Sequence, residues 1–85
     1  MKKGIGRVTK TSRGFELIEF KDFNGEECSL QASSLATTDA IWLGCDNNAK
    51  IHLGEQLSPR MHLDRKQVNR LVASLTRWLE KGSFK

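Results

Sequence analysis

The side chains with the most chemical potential in this chain are Ser29, Gln31 and Ser33, at two-residue spacing, with further hydroxyls at Ser34, Thr37 and Thr38. In an extended segment alternate residues point the same way, so these three present donors and acceptors on one face. Such a row suits a small ligand or a partner backbone; the plainer alternative is the polar outer face of an edge strand. Arg60 and His62 add a cation and an imidazole in a last extended piece before a helix.

A second group is cationic. Lys66, Arg70, Arg77 and Lys81 fall within an arc of about 60° on a helix, with only Glu80 nearby to offset them. Four cations on one face could track phosphates, and Ala73 and Ser74 beside them permit close approach. The plainer alternative is a solvated face. A major-groove reader is disfavoured, because no helix-turn-helix partner exists and the polar side of the helix has no aromatic residue. Phosphate contact is the mode of nucleic-acid binding this pattern allows.

Catalytic and metal constellations are absent from the sequence pattern. Cys28 or Cys45 with His52 or His62 would need a spatial meeting, and no G-x-S-x-G signature supports a serine nucleophile. Glu16 and Glu19 fall on opposite faces of a strand, so they do not pair for acid/base work. Gly4 and Gly6 imitate part of a phosphate loop, but no lysine-serine pair follows, and flexible entry to a strand explains them. The histidines have neither CxxC nor HxxxH spacing around them, so no zinc site is expected. Two cysteines in a reducing compartment read as small half-buried thiols. The expectation is a protein without enzymatic activity, cofactor or metal.

The elements that must hold these groups follow from period and punctuation. Val68, Leu71, Val72, Leu75, Trp78 and Leu79 recur at three- and four-residue steps, giving an amphipathic helix over about 64–81. Asp64 with Gln67 is a capping box, Leu63 with Val68 a hydrophobic staple, and Gly82 a C-cap. Arg7 to Lys10 and Phe15 to Phe20 read as strands joined through Thr11-Ser12-Arg13-Gly14. Asn24-Gly25 marks a second hairpin whose register the side chains decide. A two-residue loop would set Phe20 opposite Ser29; a three-residue loop, Phe23-Asn24-Gly25, sets Phe20 opposite Cys28, Ile18 opposite Leu30 and Lys21 opposite Glu27. The second choice keeps the apolar face intact and is preferred. Ile41-Trp42-Leu43 is a short strand, Lys50 to Leu53 a possible return strand, and Thr37-Thr38-Asp39 a helical turn or a bend. Trp42 and Trp78 read most simply as core residues, the lesser alternative being that one contributes to a ligand wall. The predicted architecture is α+β, a single domain over residues 1–85: an antiparallel meander of four or five short strands with the C-terminal helix packed on it.

Length and charge bound the function. Eighty-five residues allow one modest core. A net charge of +4 and a pI near 9.4 favour an acidic protein surface, a nucleotide or a nucleic acid as partner. No apolar run approaches the roughly 18 residues of a membrane span, and the N-terminus lacks a signal peptide's apolar segment, so a cytoplasmic chain away from membranes is expected.

Ser12 to Phe20, Glu27-Cys28-Ser29-Leu30-Gln31 with Ser33-Ser34-Leu35-Ala36, Ala40-Ile41-Trp42-Leu43-Gly44, and Arg60-Met61-His62-Leu63 with Gln67-Val68 carry a resemblance. In these motifs and their order, from about Ser12 to Gly82, the chain resembles a family of small uncharacterised proteins of tailed bacteriophages and prophages. Members often carry a longer segment before the Met-His-Leu part; here only Cys45 to Pro59 intervenes. The resemblance implies a role in the host cytoplasm during infection. It points to a stoichiometric inhibitor occupying a site on a host defence component, such as a CRISPR effector. A second expectation is an oligomeric sponge for a signalling nucleotide, with Ser29, Gln31, Ser33, Arg60 and His62 lining its pocket. A third is a phosphate-tracking DNA- or RNA-binding accessory protein.

Overall fold

The computed structural model describes residues 2–34, 39–46 and 60–85. Strands β1 (Val8–Lys10), β2 (Glu16–Lys21), β3 (Glu27–Ala32), β4 (Ala40–Cys45) and β5 (Arg60–Asp64) form one antiparallel sheet in sequence order, and helix α1 (Arg65–Lys81) follows β5 without a loop. The α+β meander predicted from sequence is the fold. His52, the candidate strand at Lys50 to Leu53 and the turn at Thr37-Thr38 lie outside the described residues.

The β2–β3 hairpin has the bulged register that keeps apolar residues together: Phe20 faces Cys28, Ile18 faces Leu30 and Lys21 faces Glu27. Asp22 and Glu26 close a three-residue loop through the Asp22 N–H to Glu26 carbonyl bond of 3.0 Å, and Gly25 has φ +86°. A side chain there would be strained, which is why glycine follows Asn24. Gly6 has a different reason. A Cβ on it would lie 2.8 Å from the Ile18 Cγ2 and 3.0 Å from the Glu19 carbonyl oxygen, so the chain before β1 passes close over β2.

Because paired residues share a face, the register sorts the sheet chemically. One face carries Ile18, Phe20, Cys28, Leu30, Leu43, Cys45, Met61 and Leu63. The other carries Glu19, Ser29 and Arg60 along one row, and Gln31, Trp42 and His62 along the next.

Helix α1 begins and ends as its sequence dictates. The Asp64 carboxylate accepts the Gln67 N–H at 2.8 Å, and the Gln67 side-chain oxygen accepts the Asp64 N–H at 3.0 Å. At the other end Gly82, at φ 70°, donates its N–H to the Trp78 carbonyl at 2.8 Å. These bonds satisfy groups that a helix terminus leaves unpaired. Arg65 also pairs with Asp39, both well exposed.

The helix departs from expectation in its packing. Val68 lines a cleft of about 330 Å³ together with Ile18, Leu30 and Ile41 on the apolar sheet face. Farther along, Val72, Leu75, Trp78 and Leu79 remain 53%, 48%, 51% and 69% exposed. Trp78 is therefore not a core residue. The helix follows β5 with no loop and, among the described residues, makes its main strand contact with β5, while its later turns stay exposed. Only Cys28 and Ser29 are buried among the described residues.

With little tertiary cover, α1 should depend strongly on its caps. Asp64→Ala should cost about 1 kcal/mol and lower the melting temperature by about 4–8 °C, followed by circular dichroism. An unchanged melting temperature would show that the capping box does not hold the helix.

Candidate functional site

The polar sheet face is an array centred on Trp42. β4 carries this indole between β3 and β5, opposite Gln31 on one side and His62 on the other. The imidazole stacks on it, with ring centroids 3.9 Å apart and planes 6° from parallel. The Arg60 guanidinium lies 5.5 Å from the centroid of the same ring, within cation–π range. Trp42 is half-buried, and the expectation of a core tryptophan is corrected: the register places it among polar partners, not under the helix.

Hydrogen bonds fix the surrounding groups. Arg60 Nη1 donates to Gln31 Oε1 at 2.9 Å, His62 Nε2 lies 2.9 Å from Ser33 Oγ, and Ser29 Oγ donates to Asp46 Oδ1 at 2.6 Å. All five residues singled out from sequence, Ser29, Gln31, Ser33, Arg60 and His62, are thus on one surface joined by β3, β4 and β5. Ser29 is the deepest at 3% exposure, whereas Gln31, Ser33, Trp42, Arg60 and His62 are half-buried and partly accessible. Sequence alternation found the hydroxyls and the amide. Trp42 was missed as the organising ring because Ile41-Trp42-Leu43 is a continuous apolar run in which period 2 is invisible.

The array is suited to holding a ligand. A planar aromatic pair can extend its stack with a heteroaromatic ring, a guanidinium supplies positive charge for an anion, and the amide and hydroxyls supply directional contacts. The Ser33–His62 contact resembles two of the three members of a nucleophilic triad. Among the described residues no carboxylate orients His62 Nδ1, which is the third element such a triad uses.

The cationic residues Lys66, Arg70, Arg77 and Lys81 are all exposed on α1. Lys66 and Asn69 face a groove of about 620 Å³ shared with Asp39 and Ile41. None of the four joins the Trp42 array through a described hydrogen bond or ion pair, so the two groups named from sequence form separate surfaces.

The Trp42–His62 stack should be measurable as an energy. A Trp42→Ala, His62→Ala double-mutant cycle followed by urea denaturation should give a coupling of about 0.5–1.5 kcal/mol. Additive single effects would mean that the rings do not stack in solution. Comparison with protein-family models, with curated proteins and with solved structures gives no match to this chain.

Proposed function

We propose that this protein is a non-enzymatic binding protein whose working surface is the polar face of β3–β5, and that it sequesters a nucleotide-like ligand. The observation that carries the reading is the assembly of Gln31, Ser33, Arg60 and His62 around one half-exposed indole. A base or nicotinamide-like ring extends the Trp42–His62 stack, and a phosphate takes the Arg60 guanidinium. The resemblance to small phage and prophage proteins supports a signalling nucleotide of host defence as the ligand. A sponge of this kind acts stoichiometrically in the host cytoplasm and needs no catalytic group or cofactor.

A second reading uses α1. The helix offers a cationic stripe on one side and an uncovered apolar stripe, Val72, Leu75, Trp78 and Leu79, on the other. Amphipathic helices with such anchors dock into grooves of partner proteins, and the cations would steer an acidic-rimmed groove toward it. That supports direct occupation of a site on a host defence protein. A nucleic-acid backbone is the alternative acidic partner, recognisable by affinity that falls steeply with salt.

Two titrations separate these readings. Calorimetry against cyclic nucleotides and ADP-ribose derivatives should show saturable binding, and Trp42→Ala should weaken it by about 5- to 150-fold, the worth of one stacked base. Silence across the panel, or an unaffected Trp42→Ala variant, would remove the sponge reading. Replacing Lys66, Arg70, Arg77 and Lys81 with glutamate should leave nucleotide binding intact and abolish capture of a defence protein; a folded quadruple variant that still inhibits would remove the α1 reading.

A further inference from the structure

On the sheet face opposite the polar array, two thiols and a carboxylate meet at one end of the β3–β4 pair. Cys28 and Cys45 are direct cross-strand partners, both free thiols, and their sulfurs are 3.8 Å apart. The Asp46 N–H to Glu27 carbonyl bond of 2.9 Å lies just outside them, so they form a non-hydrogen-bonded pair, the position where antiparallel side chains approach most closely. The Asp22 carboxylate completes the group: the three ligand atoms lie within 4.8 Å of one another.

We propose that Cys28, Cys45 and Asp22 form a binding site for a thiophilic divalent cation of the zinc type. Two sulfurs each about 2.3 Å from a tetrahedral Zn²⁺ are separated by about 3.8 Å, which is the spacing these two already have. The carboxylate is held in place before any ion arrives. Asp22 Oδ1 accepts the N–H groups of Asn24 at 2.8 Å and Glu26 at 3.0 Å, and no described hydrogen bond uses its other oxygen. Water takes the fourth position of the tetrahedron.

On binding, each thiol gives its proton to solvent and binds as thiolate, so two protons leave for one ion bound.

The test uses the reduced full chain titrated with Co²⁺ and Zn²⁺. One Co²⁺ per chain should bind with a near-ultraviolet sulfur-to-cobalt charge-transfer band and the visible bands of a tetrahedral ion, and Zn²⁺ should displace it. Cys28→Ser and Cys45→Ser should lose the charge-transfer band. Asp22→Asn keeps the turn acceptor and the fold, and should weaken uptake at least about tenfold. Absence of the band in the reduced wild-type chain would overturn the site, as would a band that survives both serine substitutions. Mild oxidation that removes two hydrogens from a chain that takes up no cobalt would also overturn it, and assign the pair to a redox disulfide.

Discussion

Cross-strand register is the constraint on which the rest of this molecule depends. Side chains alternate strictly along a strand, so the single register running from β2 to β5 decides at once which residues become the polar array and which the apolar face. Its first step is set in the β2–β3 hairpin, where Gly25 adopts φ +86° and the three-residue loop brings Lys21 opposite Glu27; the β3–β4 pairing sets the next. A slip of one residue between β3 and β4 would put Ser29 and Gln31 on the face of Cys45 and Leu43, break the Arg60–Gln31 and His62–Ser33 contacts, and part the two thiols. The Trp42 array and the thiol pair are two results of one pairing pattern, back to back across a single sheet.

Helix α1 obeys a different logic. Its ends are secured locally by a capping box and a left-handed glycine, while most of its apolar stripe has no cover from the sheet. Helical stability in proteins comes mostly from packing of the apolar side. The uncovered stripe is therefore a stability deficit, and it is the surface on which the proposed partner reading rests. The direct β5-to-α1 junction leaves no residues between strand and helix to adjust how the helix lies on the sheet.

Legibility in the sequence tracked the range of the interaction. The hairpin register was readable because only one loop length preserves an apolar face, and the helix ends because their signals lie within a few residues. Ser29, Gln31, Ser33, Arg60 and His62 were readable as candidates through alternation and residue type. Trp42 was not, since its neighbours Ile41 and Leu43 are also apolar and conceal the face it occupies. Nor could the Cys28–Cys45 meeting be read, because β3–β4 register depends on the path between Ala32 and Ala40, which carries no decisive turn pattern. Periodicity identified the apolar side of α1 correctly but says nothing of whether a sheet lies beneath it.

The most direct test of the account is the register itself, measured by nuclear Overhauser effects between Hα atoms across β3 and β4. The hydrogen bonds from Asp46 to Glu27 and from Ser33 to Ala40 bracket three close pairs. Strong Hα–Hα effects should therefore join Cys28 to Cys45, Leu30 to Leu43 and Ala32 to Ile41. Effects joining Ser29 to Cys45 or Cys28 to Gly44 would show a one-residue slip, and would contradict the Trp42 array and the thiol site together.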